Sequence, residues 1–92
     1  MASVYPTVHN KQHAYGLAVY DVRNEQLFPT ASNELDSYGL AVFEIRGTSI
    51  YPTVNNKRYG FGLPVFDLRG TQLYPTVNNR LDPYGLPAFD IR

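Results

Sequence analysis

Two apolar runs alternate along the chain, and each returns every 23 residues. The first reads Val4-Tyr5-Pro6-Thr7-Val8 and returns as Leu27-Phe28-Pro29-Thr30-Ala31, Ile50-Tyr51-Pro52-Thr53-Val54 and Leu73-Tyr74-Pro75-Thr76-Val77. The second reads Leu17-Ala18-Val19-Tyr20-Asp21-Val22-Arg23 and has three further copies in phase. Both are rich in β-branched and aromatic residues, which suit a pleated, half-buried surface. Alternation along the second run puts Ala18, Tyr20 and Val22 on one side and Leu17, Val19, Asp21 and Arg23 on the other. The first set continues as Ala41-Phe43-Ile45, Pro64-Phe66-Leu68 and Pro87-Phe89-Ile91, which predicts the core face. The stretches between the runs are too short and too polar for helices, so the chain reads as all-β.

The spacing is strict. Pro6, Pro29, Pro52 and Pro75 keep it, as do Thr7, Thr30, Thr53 and Thr76 and the Gly-Leu pairs beginning at Gly16, Gly39, Gly62 and Gly85. The chain is therefore one repeat domain, 1–92, of four units: 1–23, 24–46, 47–69 and 70–92. A unit this short cannot bury its apolar face alone. Three residues separate one unit's second run from the next unit's first run: Asn24-Glu25-Gln26, Gly47-Thr48-Ser49 and Gly70-Thr71-Gln72. Connections of this kind predict tight hairpins. The longer connection inside each unit varies: Lys11-Gln12-His13-Ala14, Glu34-Leu35-Asp36-Ser37, Lys57-Arg58-Tyr59-Gly60 and Arg80-Leu81-Asp82-Pro83. The first and last strands each lack a hairpin partner in sequence. Their pairing would close the sheet and remove its exposed edges. The expected fold is a small eight-stranded barrel or toroid of β-hairpin repeats with approximate fourfold symmetry. An open β-solenoid and a propeller-like oligomer, with pairs of units as blades, are the alternatives.

Composition narrows the function. Forty-three per cent apolar residues, with eight Tyr and five Phe, can fill a core in a chain of 92 residues. The formal net charge is zero and the basic residues are spread out, which argues against a nucleic-acid partner. No apolar run is long enough for a spanning helix, so membrane insertion is not expected. Cysteine is absent, excluding disulfides and thiolate metal sites. The N-terminal residues carry no leader signal, which predicts a soluble cytoplasmic protein, with non-classical export left open. His9 and His13 occur in one unit, without further ligands, so no metal or other cofactor is expected. The carboxylates recur as symmetry copies, whereas acid–base chemistry needs groups in unlike environments. The chain does not read as an enzyme.

Four polar or aromatic positions recur as candidate ligand contacts. The acids Asp21, Glu44, Asp67 and Asp90 each stand two residues before Arg23, Arg46, Arg69 or Arg92. Such pairs point the same way on a strand, roughly 6.5 Å apart, and could grip neighbouring hydroxyls. Asn10, Asn33, Asn56 and Asn79 offer a donor and an acceptor in one amide. Tyr15, Tyr38, Phe61 and Tyr84 precede the Gly-Leu steps and offer a flat face for a sugar ring. Each position also has a structural reading. An Asp-x-Arg pair can be a surface ion pair worth about 0–1 kcal/mol, and Asn at a loop entry can be a turn residue. Pro-Thr reads as structural, and Tyr20 with its equivalents as core.

In unit three the pattern is Tyr51-Pro52-Thr53-Val54, Asn56 and Phe61-Gly62-Leu63-Pro64-Val65-Phe66-Asp67-Leu68-Arg69. In organisation, over its whole length, the chain resembles the small tandem-repeat lectins of mushrooms and some invertebrates. It departs from that type in having no Trp and in carrying Glu44 where the other units have Asp. The resemblance implies a multivalent carbohydrate-binding protein that agglutinates glycan-bearing surfaces. Up to four quasi-equivalent shallow sites would be lined by the Asn, acid, Arg and aromatic of adjoining units, with the variable loop setting specificity. Its partners would be glycans on glycoproteins or glycolipids, and a homodimer is the commonest self-association for such a domain. Two other classes stay open. A structural or interaction module, including a designed symmetric protein, predicts intrahairpin Asp–Arg pairs and no concavity between units. A protein inhibitor predicts that one loop, such as Lys57-Arg58-Tyr59, matters alone.

Overall fold

The structure is a computed structural model and describes residues 2–36, 38–82 and 84–92. Met1, Ser37 and Pro83 lie outside the described residues, and with them the first position of unit one and two positions of the variable loops.

Eight short strands form: β1 (Ala2–Pro6), β2 (Tyr20–Arg23), β3 (Gln26–Pro29), β4 (Phe43–Arg46), β5 (Ser49–Pro52), β6 (Phe66–Arg69), β7 (Gln72–Pro75) and β8 (Phe89–Ile91). Each pairs antiparallel with its neighbour in chain order, and β1 pairs with β8 through Val4↔Ile91, Tyr5↔Asp90 and Pro6↔Phe89. Ser3 and Arg92 exchange backbone hydrogen bonds of 2.9 and 2.8 Å. The barrel therefore closes within one chain, as the unpaired end strands predict. Neither the solenoid nor the multi-chain propeller is adopted.

The hairpins are tighter than the three-residue spacing suggests. Arg23 pairs with Gln26, Arg46 with Ser49 and Arg69 with Gln72, leaving two-residue turns. Asn24 and Glu25 both take positive φ, 50° and 63°, as a type I′ turn requires. In the next two turns Gly47 and Gly70 carry the positive φ. All three turns lie at one end of the barrel. The long loops, 7–19, 30–42, 53–65 and 76–88, lie at the other.

The second run forms a shorter strand than its composition predicts, and its alternation fails at one place. Val19, Val42, Val65 and Ala88, expected on the outer face, are buried. The cause is a repeated bulge. The amide of Val42 donates to the carbonyl of Leu27 at 3.0 Å, although Leu27 is already in register with Phe43. Val19, Val65 and Ala88 do the same to Val4, Ile50 and Leu73 at 2.8–2.9 Å. Two residues of one strand oppose one of the other, and both turn inward. Beyond the bulge the expected alternation holds.

The core is a closed ring of aromatics. Tyr20, Phe43, Phe66 and Phe89 meet edge to face in sequence, with centroids 5.4–5.8 Å apart all the way round. Each such contact adds about 0.5–1.5 kcal/mol to the burial of the rings. Val4, Leu27, Ile50 and Leu73 pack beside them. The four strand prolines are fully buried and end their strands, where a missing N–H disturbs the ladder least. The following threonines fasten the loops: each hydroxyl donates to a carbonyl of the preceding unit (Pro87, Ala18, Ala41 and Pro64; 2.6–2.8 Å) and accepts from an amide two residues on.

Candidate functional site: the clefts between units

The loop that leaves each Pro-Thr step crosses onto the preceding unit. The amide of each repeated Asn holds it there. Nδ2 of Asn10, Asn33, Asn56 and Asn79 donates at 2.8–2.9 Å to the carbonyls of Ala88, Val19, Val42 and Val65. Each Oδ1 accepts from the backbone amides two and three residues on, at 2.8–3.0 Å. At least three bonds per side chain, made inside the fold, commit these amides to loop closure.

The loop then turns its thirteenth residue into the barrel, and here fourfold symmetry ends. His13, Asp36, Tyr59 and Asp82 occupy equivalent buried positions over the aromatic ring. Tyr20 Oη donates to Asp36 Oδ2 at 2.6 Å, and Arg58 donates to both oxygens of Asp36 (2.9 and 3.3 Å) and to Tyr20 Oη (3.1 Å). The Asp36 side chain is 3% exposed and that of Arg58 18%. Burial, with the Asp36 carboxylate next, lifts the Tyr20 phenol well above its ordinary pKa of 10.0. Tyr59, whose hydroxyl donates to Asn79 Oδ1 at 3.2 Å, is pushed up to about 12, first by burial and then by Asp82. Burial also raises Asp82. His13 is pushed down to about 4 by burial and then by the Arg58 charge, against a smaller pull from Asp36. Its Nε2 has no hydrogen-bond partner among the described residues. Tyr20 differs from the other three ring members because only its loop neighbours supply a carboxylate acceptor and a guanidinium.

The Gly of each Tyr/Phe-Gly-Leu step takes φ of 114–134°, a region that L side chains rarely adopt. This bend leaves the preceding aromatic in solvent. Tyr15, Tyr38, Phe61 and Tyr84 are 63–75% exposed, and the leucines that follow are 49–68% exposed. Among the described residues three clefts run beside them, at the junctions of units one and two, two and three, and three and four, from equivalent positions. Tyr15, Leu17 and Val19 face Ser32, Glu34 and Leu35 across about 180 Å³. Tyr38, Leu40 and Val42 face Val54, Asn55 and Lys57 across about 220 Å³. Phe61, Leu63 and Val65 face Asn78, Arg80 and Leu81 across about 390 Å³. At the junction of units four and one the same positions are Tyr84, Leu86, Ala88, His9, Lys11 and Gln12.

The acid–arginine positions stand elsewhere, on the outer wall of the strands. Arg46 donates from Nε to Glu44 at 2.7 Å, and Arg69 and Arg92 lie 3.9 and 3.7 Å from Asp67 and Asp90. Arg23, Arg46, Arg69 and Arg92 each lie 4.2–4.6 Å over an aromatic ring: Phe28, Tyr51, Tyr74 and Tyr5. Asp21 accepts a long bond, 3.5 Å, from Ser3. The predicted set is thus divided. Asn closes loops, Glu44, Asp67 and Asp90 pair with the arginines two residues on, and Tyr15, Tyr38 and Phe61 border the clefts. Arg46 and Phe61 meet, beside Tyr51, in a hollow of about 60 Å³.

The polar lining comes instead from the ninth and eleventh residues of the next unit. Lys11, Glu34, Lys57 and Arg80 fall in the variable loop flagged by sequence, but His9, Ser32, Asn55 and Asn78 do not. Their signal was available only in part: each is polar, and His9 and Ser32 differ from Asn55 and Asn78. Comparison with protein-family models, with curated proteins and with solved structures gave no match for this chain. Among the described residues no helix is long and apolar enough to cross a membrane, and no group of His, Cys, Asp or Glu could hold a metal ion.

Proposed function

We propose that the protein is a multivalent carbohydrate-binding protein whose sites are the inter-unit clefts. One observation carries the reading: every unit holds an aromatic in solvent next to a glycine of positive φ, and in units one to three that aromatic borders a cleft edged with polar side chains of the next unit. An aromatic face with hydrogen-bonding groups opposite suits a sugar ring, apolar on one side and hydroxylated at its edge. Rings so exposed bury little apolar surface in the fold. A single shallow site near millimolar affinity supplies about −4 kcal/mol. Repetition round a rigid barrel raises the effective affinity for a glycan-coated surface by roughly 10²–10⁴.

The site differs from the sequence expectation in its polar members. Asn10, Asn33, Asn56 and Asn79 and the Asp-x-Arg pairs act as scaffold, while Tyr15, Tyr38, Phe61 and Tyr84 remain as stacking residues. The test is a glycan array beside red-cell agglutination, for the parent and for the variant Tyr15→Ala/Tyr38→Ala/Phe61→Ala/Tyr84→Ala. The variant keeps the parent far-UV spectrum and loses agglutination. Full agglutination by the folded variant rules the clefts out.

A second reading, a structural or protein-interaction module, is favoured by the intrahairpin pairs and by the exposed Val8, Val54 and Val77. It predicts no glycan binding by the parent protein.

A further inference from the structure

The three clefts share a plan but differ in size and charge. The first, at about 180 Å³, carries Glu34, and the second, at about 220 Å³, carries Lys57 beside Asp36. The third, at about 390 Å³, alone enters the range of roughly 300–1,000 Å³ usual for small-ligand sites. It is lined by two guanidiniums, Arg58 and Arg80, and by no acid. Arg58 is held in place from one edge: its Nε and Nη2 are bonded to Asp36 and Tyr20, and Nη1 makes no hydrogen bond among the described residues. Arg80 is exposed, and among the described residues no carboxylate pairs with it. Asn78 uses its amide nitrogen on Pro64 at 3.3 Å, leaving its oxygen as an acceptor beside them. Opposite stand Phe61 and Leu63, exposed and apolar.

Resting on the carbohydrate reading, we infer that the cleft between units three and four selects an anionic saccharide, one bearing a carboxylate or a sulfate. Guanidinium groups bind such oxyanions in planar, bidentate geometry. Arg80 supplies the uncompensated charge, and Arg58 a pre-positioned edge. Phe61 supports the apolar face of the ring, and Asn78 accepts from a hydroxyl. The other two clefts, smaller and without a guanidinium, take neutral sugars: Glu34 lines the first, and the second offers only the point charge of Lys57, beside the Asp36 carboxylate. Repetition then gives a protein that reads mixed glycans, with one site tuned apart from its copies.

The test is amide chemical-shift titration of the ¹⁵N-labelled full chain. The probes are glucuronate and N-acetylneuraminate as acidic sugars, glucose as the neutral sugar and sodium sulfate as the bare anion. Acidic sugars should shift residues 61–63 and 78–81 with at least tenfold tighter binding than glucose, and that advantage should shrink as salt is added. Arg80→Gln should abolish the advantage, and Lys57→Gln should leave it intact. Equal binding of acidic and neutral sugars, or an advantage that survives Arg80→Gln, overturns the inference while the carbohydrate reading stands. Sulfate binding as tightly as glucuronate overturns it too, since the site would then read charge without sugar. No binding of any sugar at any cleft removes both.

Discussion

Removing the Asp36 carboxylate tests how the asymmetric polar plug is held. Asp36→Ala strips Tyr20 of its 2.6 Å acceptor and leaves the Arg58 guanidinium, whose side chain is 18% exposed, without a counter-charge. Breaking a buried ion pair by removing one partner costs about 3–5 kcal/mol. For a domain of this size each kcal/mol corresponds to roughly 4–8 °C in Tm, so the lower figure alone lowers Tm by roughly 12–24 °C. A rescue should also be possible. Phe already fills the Tyr20 position in three units, and Leu35 and Leu81 fill the Arg58 position in two. Tyr20→Phe/Asp36→Leu/Arg58→Leu replaces the whole network with apolar groups and should return to within about 2 kcal/mol of the parent, since well-packed hydrophobic replacements of buried ion pairs are often neutral. Urea denaturation followed by near-UV circular dichroism measures both. A loss below about 1 kcal/mol for Asp36→Ala, or a triple variant no more stable than the single one, refutes the account of the plug.

Three further outcomes follow from the same geometry. The His13 imidazole is neutral in the fold down to about pH 4, whereas the unfolded chain takes up its proton near 6.5; stability therefore falls as pH drops through that window. Asp82, raised by burial above its ordinary 3.8, opposes this trend. The Tm of His13→Phe minus that of the parent should grow between pH 7.5 and 4.5, and a constant difference contradicts the assignment. Gly62→Ala should lose about 1–3 kcal/mol in thermal denaturation although nothing lies within 4 Å of the added methyl group, because φ of 128° strains any L side chain. Asp67→Ala/Asp90→Ala should change stability by less than about 2 kcal/mol and leave glycan binding intact, because these acids pair in solvent on the barrel wall; lost binding would return them to the site.

The closed barrel was legible because its signals are local and repeated. Pro-Thr ends strands, Asn24 and Gly47 begin turns, and the first and last strands have no other partner to pair with. Val19 and its equivalents misled because a bulge puts two successive residues on one side, which a period of two does not anticipate. The role of Asn33 depends on a carbonyl fourteen residues back, at Val19, brought close by the pairing of β2 with β3. Arg58, Asp36 and Tyr20 form one network from three different units, so no single repeat displays it. The aromatics were the readable part of the candidate site, since exposure and a glycine bend are both local. The polar wall opposite was legible only in part: Lys11, Glu34, Lys57 and Arg80 lie in the variable loops, but their place beside the preceding unit's aromatic depends on the fold.

The central claim is that the clefts act together on glycans, and surface plasmon resonance measures this most directly. The same oligosaccharide is presented sparsely and then densely on the chip, to the parent and to variants losing one to four of Tyr15, Tyr38, Phe61 and Tyr84. The account predicts binding to the dense surface roughly 10²–10⁴ tighter than to the sparse one, declining stepwise as aromatics are removed. Equal affinity at both densities, or indifference to all four rings, contradicts it.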